Sequence, residues 1–155
     1  MNWTVRAAVP ADAEELTRLR AVMFEAMGRD VTLGDWQRPS VAVFRRELGG
    51  PQLVATVIDA PTGGLASCAA AFVRLDLPRP GETGTVSAHL HNVCTDPVWR
   101  RLGLARLVVT ALVAQLDELG VRRSDLHASE DGLGLYESLG FKPYGGGVEM
   151  VRRLS

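Results

Sequence analysis

Apolar residues along the first quarter of the chain fall at helical spacing. Leu16, Leu19, Met23 and Met27 share one face, so a helix is expected to run to about Met27, with Gly28 as its stop. Asp12 and Glu15, three positions apart, form a capping-box pair at its start. Before it, Thr4 to Val9 is short and β-prone, and Pro10 ends it. A second helix is expected from Asp35 to Leu48, closed by Gly49-Gly50, with Pro39 leaving its start open. Gln52 to Asp59 and Leu65 to Leu75 read as strands joined through Pro61-Thr62-Gly63-Gly64, a hairpin. After a loop from Leu77 to Gly84, Thr85 to Thr95 reads as a third strand. Its alternation sets His89, His91, Val93 and Thr95 on one face and Leu90, Asn92 and Cys94 on the other.

Asp96-Pro97 stops that strand, and a loop reaches Gly103. Leu104 to Leu119 then carries Leu104, Leu107, Val108, Ala111, Leu112 and Leu119 at helical spacing, with Gly120 behind it. Ser124 to Ala128 reads as a strand and Gly132 to Leu139 as a short helix. Phe141 to Tyr144 and Val148 to Leu154 read as final strands around Gly145-Gly146-Gly147. The order implies one domain over residues 1–155, with helices layered on a single sheet.

The composition narrows the function. Hydrophobic residues at 46% and charged ones at 23% fit a globular chain with its own core. Lys plus Arg (17) nearly balances Asp plus Glu (18), for a net charge of -1, so no basic footprint for nucleic acid is present. No apolar run has the length of a membrane span, and the first residues have neither the basic start nor the apolar core of a signal peptide. Cys68 and Cys94 lack paired spacing and read as reduced thiols, so a cytoplasmic location is expected. No His-x-x-x-His or Cys-x-x-Cys occurs, and no metal is expected.

The chemistry concentrates between Val93 and Arg106. A strand ends, an Arg-Gly loop follows and a long helix begins. A helix N-terminus offers free N–H groups and partial positive charge to an anion. Gly103 allows close backbone approach, Ala105 is too small to block it, and Arg100, Arg101 and Arg106 add charge. This is the chemistry for a diphosphate. Neither the Gly-x-x-x-x-Gly-Lys-Ser/Thr loop nor the Gly-x-Gly-x-x-Gly fingerprint occurs there.

The spacing Arg100-x-x-Gly103-x-Ala105, between a strand and an amphipathic helix, resembles the acyl-CoA-binding motif of the GNAT superfamily of N-acetyltransferases. Leu126-His127-Ala128-Ser129 and Leu135-Tyr136-Glu137-Ser138-Leu139-Gly140-Phe141 resemble that family's next strand and its tyrosine helix. The resemblance implies an α+β fold in three layers. Its centre is a mixed, mostly antiparallel twisted sheet of about six to seven strands, flanked by about four helices. It implies acetyl-CoA as cosubstrate and direct acetyl transfer to a primary amine of a small molecule or protein. The strand backbone at Val93, Cys94 and Thr95 is expected to pair with pantetheine, across a bulge that opens a gap. The amides of Arg101, Leu102, Gly103, Leu104, Ala105 and Arg106, with Arg100, are expected to hold the diphosphate. Ser129 is expected either to touch pantetheine or to cap a helix.

Tyr136 matches the position of the family's general acid for the departing thiolate; a core tyrosine is the plainer alternative. For the base that deprotonates the amine, His91 is the first candidate, with His89, Glu25, Asp30 and a water route behind it. His127 reads as a strand residue held by a hydrogen bond, and Cys94 as a small packing residue. The resemblance sets the acceptor site between Met23 to Trp36 and the Leu77 to Gly84 loop. A homodimer is compatible with it. The alternative function is an acyl-CoA-binding sensor or partner module with little transferase activity.

Overall fold

The structure, a computed structural model, describes residues 2–154. Six strands form one sheet: β1 (Val5–Ala7), β2 (Leu53–Asp59), β3 (Leu65–Leu75), β4 (Val86–Leu90), β5 (Cys94–Thr95) and β6 (Arg123–Asp125). Four helices accompany it: α1 (Ala13–Ala26), α2 (Gln37–Glu47), α3 (Leu104–Glu118) and α4 (Leu133–Ser138). The sheet order is β1-β2-β3-β4-β6, with β5 also on β3. Every pairing is antiparallel except β4 with β6. The α3 crossover lies between those two parallel strands, as a parallel connection requires.

β2 and β3 are buried on both faces because helices cover both sides of the sheet. One face packs Val54, Ile58, Ala69, Ala71, Ala88 and Leu90 against α3. The other packs Leu53, Ala55, Val57, Cys68 and Ala70 against Leu16 and Leu19 of α1 and Phe44 of α2. The alanine run Ala69-Ala70-Ala71 lets both layers approach the central strand closely. Thr56, the polar residue among the apolar ones of β2, donates to the carbonyl of Val108 at 2.7 Å, so its burial leaves no unmet hydrogen bond.

Several expectations from the sequence are corrected. The Asp12 carboxylate does not cap α1 together with Glu15. It accepts from the Val9 amide and from Arg6, while Glu15 is drawn to Arg18 and the Leu65 amide. Pro39 falls in the first turn of α2, where its missing N–H has no intrahelical partner to lose. The buried stripe of α3 is Leu104, Val108, Val109, Leu112 and Leu116, with Leu107 and Leu119 exposed. β6 spans Arg123–Asp125, and the backbone from Leu126 to Ala128 has already left the ladder.

The expected strands at Phe141–Tyr144 and Val148–Leu154 do not form among the described residues. Three consecutive glycines cost conformational entropy, and the three-residue β6 offers few ladder positions. The segment is tethered by side chains instead: Arg123 lies 5.0 Å from the centre of the Tyr144 ring, and His127 is 3.5 Å from Glu149. No helix among the described residues is long and apolar enough to cross a membrane.

The expected strand from Thr85 to Thr95 is broken. Leu90 pairs with Ala71 and Cys94 with Cys68, so the chain takes four steps where β3 takes three. The extra residue is a β-bulge. It inverts the alternation beyond it. His91 meets Phe72, and Asn92 bonds to Leu16, so two consecutive side chains face the α1 layer. Val93 then packs with the α3 layer, and Cys94 returns to the α1 layer. The expectation that Val93 shares a face with His89 and His91, and Cys94 with Leu90, is therefore overturned.

Candidate active site

The bulge separates two edges. On β4, the edge opposite β3 is taken by β6, but only through Ser87, Ala88 and His89. On β5, Cys94 and Thr95 pair with Cys68 and Ser67 of β3, and no strand lies on their other edge. The sheet therefore splays open beyond His89. Inside the gap, the backbone N–H groups of Asn92 and Val93 have no hydrogen-bond acceptor among the described residues. Uncommitted amides beside an open strand edge suit an extended ligand with amide and carbonyl groups.

The loop after β5 has backbone features suited to an anion. Pro97–Trp99 forms a 3₁₀ turn whose first amide, that of Val98, donates to the Asp96 carboxylate at 3.0 Å. Arg101 has φ 63° and Gly103 φ 77°, two left-handed positions flanking Leu102. Left-handed backbone at a non-glycine residue is strained, and alternation of hand curls successive N–H groups into an anion-binding concavity. Gly103 caps α3 without a side chain, and the first intrahelical bond there is Leu107 N–H to Gly103 O at 3.3 Å. The amides of Leu104, Ala105 and Arg106 thus point outward unpaired at the positive end of the helix. Leu104 is buried, Ala105 is half-buried, and Arg101, Leu102 and Gly103 are exposed.

Two of the arginines have structural partners. Arg100 donates through Nε to the Thr95 carbonyl at 3.3 Å, folding its exposed guanidinium back over the end of β5. Arg106 donates to Ser138 Oγ at 2.8 Å, which ties α3 to α4. Tyr136, on the same helix, lines the cleft that also holds His89. Tyr136 is half-buried, packs edge-on against Phe141, and has its phenol pKa raised by burial. A Cβ placed on Gly132 would stand 3.0 Å from the Tyr136 ring and 3.4 Å from Ser129 Oγ. The glycine therefore leaves the space that lets Ser129, Gly132 and Tyr136 converge. Ser129 opens the 3₁₀ turn at Glu130–Gly132, but its hydroxyl makes no capping bond and stays exposed.

Across β6 lies a cleft of about 1040 Å³ lined in part by His89, Asp125, His127, Leu133, Tyr136 and Leu139. His89 Nδ1 pairs with the Asp125 carboxylate. The His91 ring lies 4.3 Å from that of His89, and the His127 ring lies 6.0 Å from that of His89. His91 is exposed, with the Phe72 and His89 rings against it. Desolvation, with the charges of His89, Arg20 and Arg74, pushes its pKa down to about 4. It is a neutral imidazole at physiological pH. Burial pushes the Cys94 thiol up to about 11 and raises that of Cys68 further, so neither is a thiolate. Cys94 packs in the α1 layer, Glu25 lies in the last turn of α1, and Asp30 follows beyond its end. Among the described residues no group of His, Cys, Asp and Glu has the arrangement of a metal site.

Asn92 is the residue the sequence argument passed over. It is 1% exposed, donates to the Leu16 carbonyl at 3.1 Å, and accepts from Arg20 at 3.3 Å. It pins the bulge to α1. A polar amide between Leu90 and the apolar Val93-Cys94 pair was the available signal. Asp125 was likewise missed as the partner of His89, because nothing in local spacing joins residues so far apart.

The acetyltransferase (GNAT) domain family matches residues 53–143, more than half the chain, and the chain belongs to that family. Its fold is that of a GCN5-related N-acetyltransferase from Ralstonia eutropha JMP134, at 25% identity, with 99% of each chain covered and a TM-score of 0.83. A predicted acetyltransferase from Clostridium acetobutylicum, solved with acetyl-CoA, superimposes with a TM-score of 0.85 at 21% identity over 97% of this chain and 96% of that one. Glucosamine-6-phosphate N-acetyltransferase from Arabidopsis thaliana gives 0.74 at 18% identity with both chains fully covered, 100% each. No curated protein matches the sequence.

Proposed function

We propose that the protein transfers an acetyl group from acetyl-CoA directly to a primary amine of a small molecule or protein. The observation that carries this is the splay itself: an open β5 edge, two uncommitted amides at the bulge, and a left-handed loop leading into the unpaired amides of α3. These groups fit the three parts of acetyl-CoA in order. The backbone of Val93, Cys94 and Thr95 holds the pantetheine amides. The loop from Arg101 to Arg106, with the free end of the Arg100 guanidinium, holds the diphosphate. The bulge amides donate to the thioester carbonyl, whose oxygen gains charge as the amine attacks.

Tyr136 serves as the acid. Its raised pKa keeps the phenol protonated, so it can donate to the departing thiolate. The base role falls to the histidine pair. Asp125 fixes the Nδ1–H tautomer of His89, leaving Nε2 to accept a proton. His91, neutral beside it, can receive the amine proton through a water, but its low pKa gives the proton little hold there. His89, held by Asp125, stands beside it as the second acceptor.

Release of free thiol from acetyl-CoA against a panel of amines tests the reading. Amine-dependent release is expected. Tyr136→Phe should lower kcat by about a hundredfold while the KM for acetyl-CoA changes little. Binding of acetyl-CoA with no release for any amine would overturn the transferase and leave a binding module.

A further inference from the structure

The far side of the bulge carries an excess of positive charge that the fold does not neutralise. Arg20, on the inner side of α1, reaches Asn92 with one nitrogen at 3.3 Å and makes no ion pair among the described residues. Its guanidinium lies 4.8 Å from the centre of the Phe24 ring. Arg29, just beyond the end of α1, lies 5.1 Å from the same ring and is also without a carboxylate. Trp36 closes on Phe24 edge-on at 5.7 Å, with its indole N–H fixed to the Val31 carbonyl at 2.9 Å.

The nearby carboxylates do not answer this charge. Asp30 is engaged with the amide and hydroxyl of Thr32. Glu25 forms no ion pair with either arginine. Asp125 is shared between His89 and Arg74, the latter at 3.5 Å. Burial and the neighbouring Arg29 both work against the charge on Arg20, and Arg20 in turn works against charge on His91. Two cations held on one aromatic ring, one of them half-buried and bonded only to a neutral amide, form a site that an anion would complete. The position is specific: Arg20 bonds to Asn92, which is next to the bulge amide of Val93.

We propose that the acceptor amine carries an acidic group, a carboxylate or a phosphate, bound by Arg20 with Arg29 beside the His91 ring. This rests on the transferase reading above, and it names the class of amine. The planar guanidinium gives two parallel donors to such a group. The ring of Phe24, packed by Trp36, holds both cations in place.

Matched amine pairs test it: an amino acid against its amide, and an amino-sugar phosphate against the free amino sugar. In the wild type the acidic member of at least one pair should have a kcat/KM higher by at least about tenfold. The pair that shows it distinguishes carboxylate from phosphate. Arg20→Gln should collapse that ratio towards one, Arg20→Lys should restore part of it, and the exposed Arg29→Gln should reduce it without risk to the fold. A wild-type ratio of one or below, or a ratio that survives both glutamine variants, overturns the proposal. A readout independent of turnover separates it from the transferase reading. Inorganic phosphate or acetate should shift the Trp36 indole N–H resonance in the wild type and not in Arg20→Gln. No shift with either anion sinks the site, whereas a shift without turnover for any amine sinks the transferase reading alone.

Discussion

Arg18 and Asp96, 78 positions apart, meet at 2.7 Å and join α1 to the start of the loop between β5 and α3. Arg18 also donates to Glu15 and to the Leu65 carbonyl, and Asp96 uses its other oxygen on the Val98 amide. The pair therefore orients the turn that leads to Arg101 and Gly103. Arg18 is 42% exposed, so its loss should cost only about 1 kcal/mol of stability. Arg18→Leu and Asp96→Ala should instead raise the KM for acetyl-CoA several-fold with little change in kcat. Steady-state kinetics with acetyl-CoA varied at saturating amine would show it; an unchanged KM in both variants would remove the positioning role.

Gly103 has φ 77° with open space around the position of a Cβ, so shape does not exclude a side chain there but backbone conformation does. Gly103→Val should cost about 1–2 kcal/mol. The loop would shed that strain by moving, so affinity for coenzyme A, read by calorimetry, should fall more than thermal stability. Equal coenzyme A affinity in the valine variant would show that the left-handed turn is not needed for the diphosphate.

Asn92→Ala should destabilise the protein by about 1–3 kcal/mol, because it removes a buried amide bond to the Leu16 carbonyl and takes away the acceptor of the half-buried Arg20 guanidinium. It should also lower kcat, since the bulge loses its anchor to α1. Denaturant midpoints at constant m-value give the first quantity and turnover the second. A variant as stable and as fast as the wild type would mean that the β3 ladder alone holds the bulge.

The depressed pKa of His91 sets a pH dependence. Its ordinary value is 6.5 and its folded value about 4, so between these the unfolded chain binds the extra proton. Its contribution to stability is thus fully present above pH 6.5, is lost as pH falls towards 4, and changes no further below that. Melting temperature should decline across this window, and His91→Phe should flatten the decline. Parallel profiles for the two proteins would contradict the depressed value.

Much of the architecture was legible because it rests on local pattern. The periodicity from Leu104 to Leu116 and the glycine at its start define α3 and its cradle without help from the rest of the chain. The hairpin of β2 and β3 follows from its turn in the same way. What escaped depends on pairing between distant segments. Alternation through His91, Asn92 and Val93 by itself predicts an unbroken strand; the resemblance implies a bulge there, and the register against β3 places the extra residue between Leu90 and Cys94. The same holds for Asp125 beside His89 and for Arg20 beside Asn92. The last strands failed for the opposite reason: Val148, Met150 and Val151 have β-prone or apolar side chains, but no ladder of sufficient length lies next to them.

The single unmatched residue between Leu90 and Cys94 has a consequence for how this chain can vary. Removing any one position there would let the two short strands zip into one, and the doorway between the helical layers would close whatever side chains remained. The opening at this spot depends on a count before it depends on a kind of amino acid.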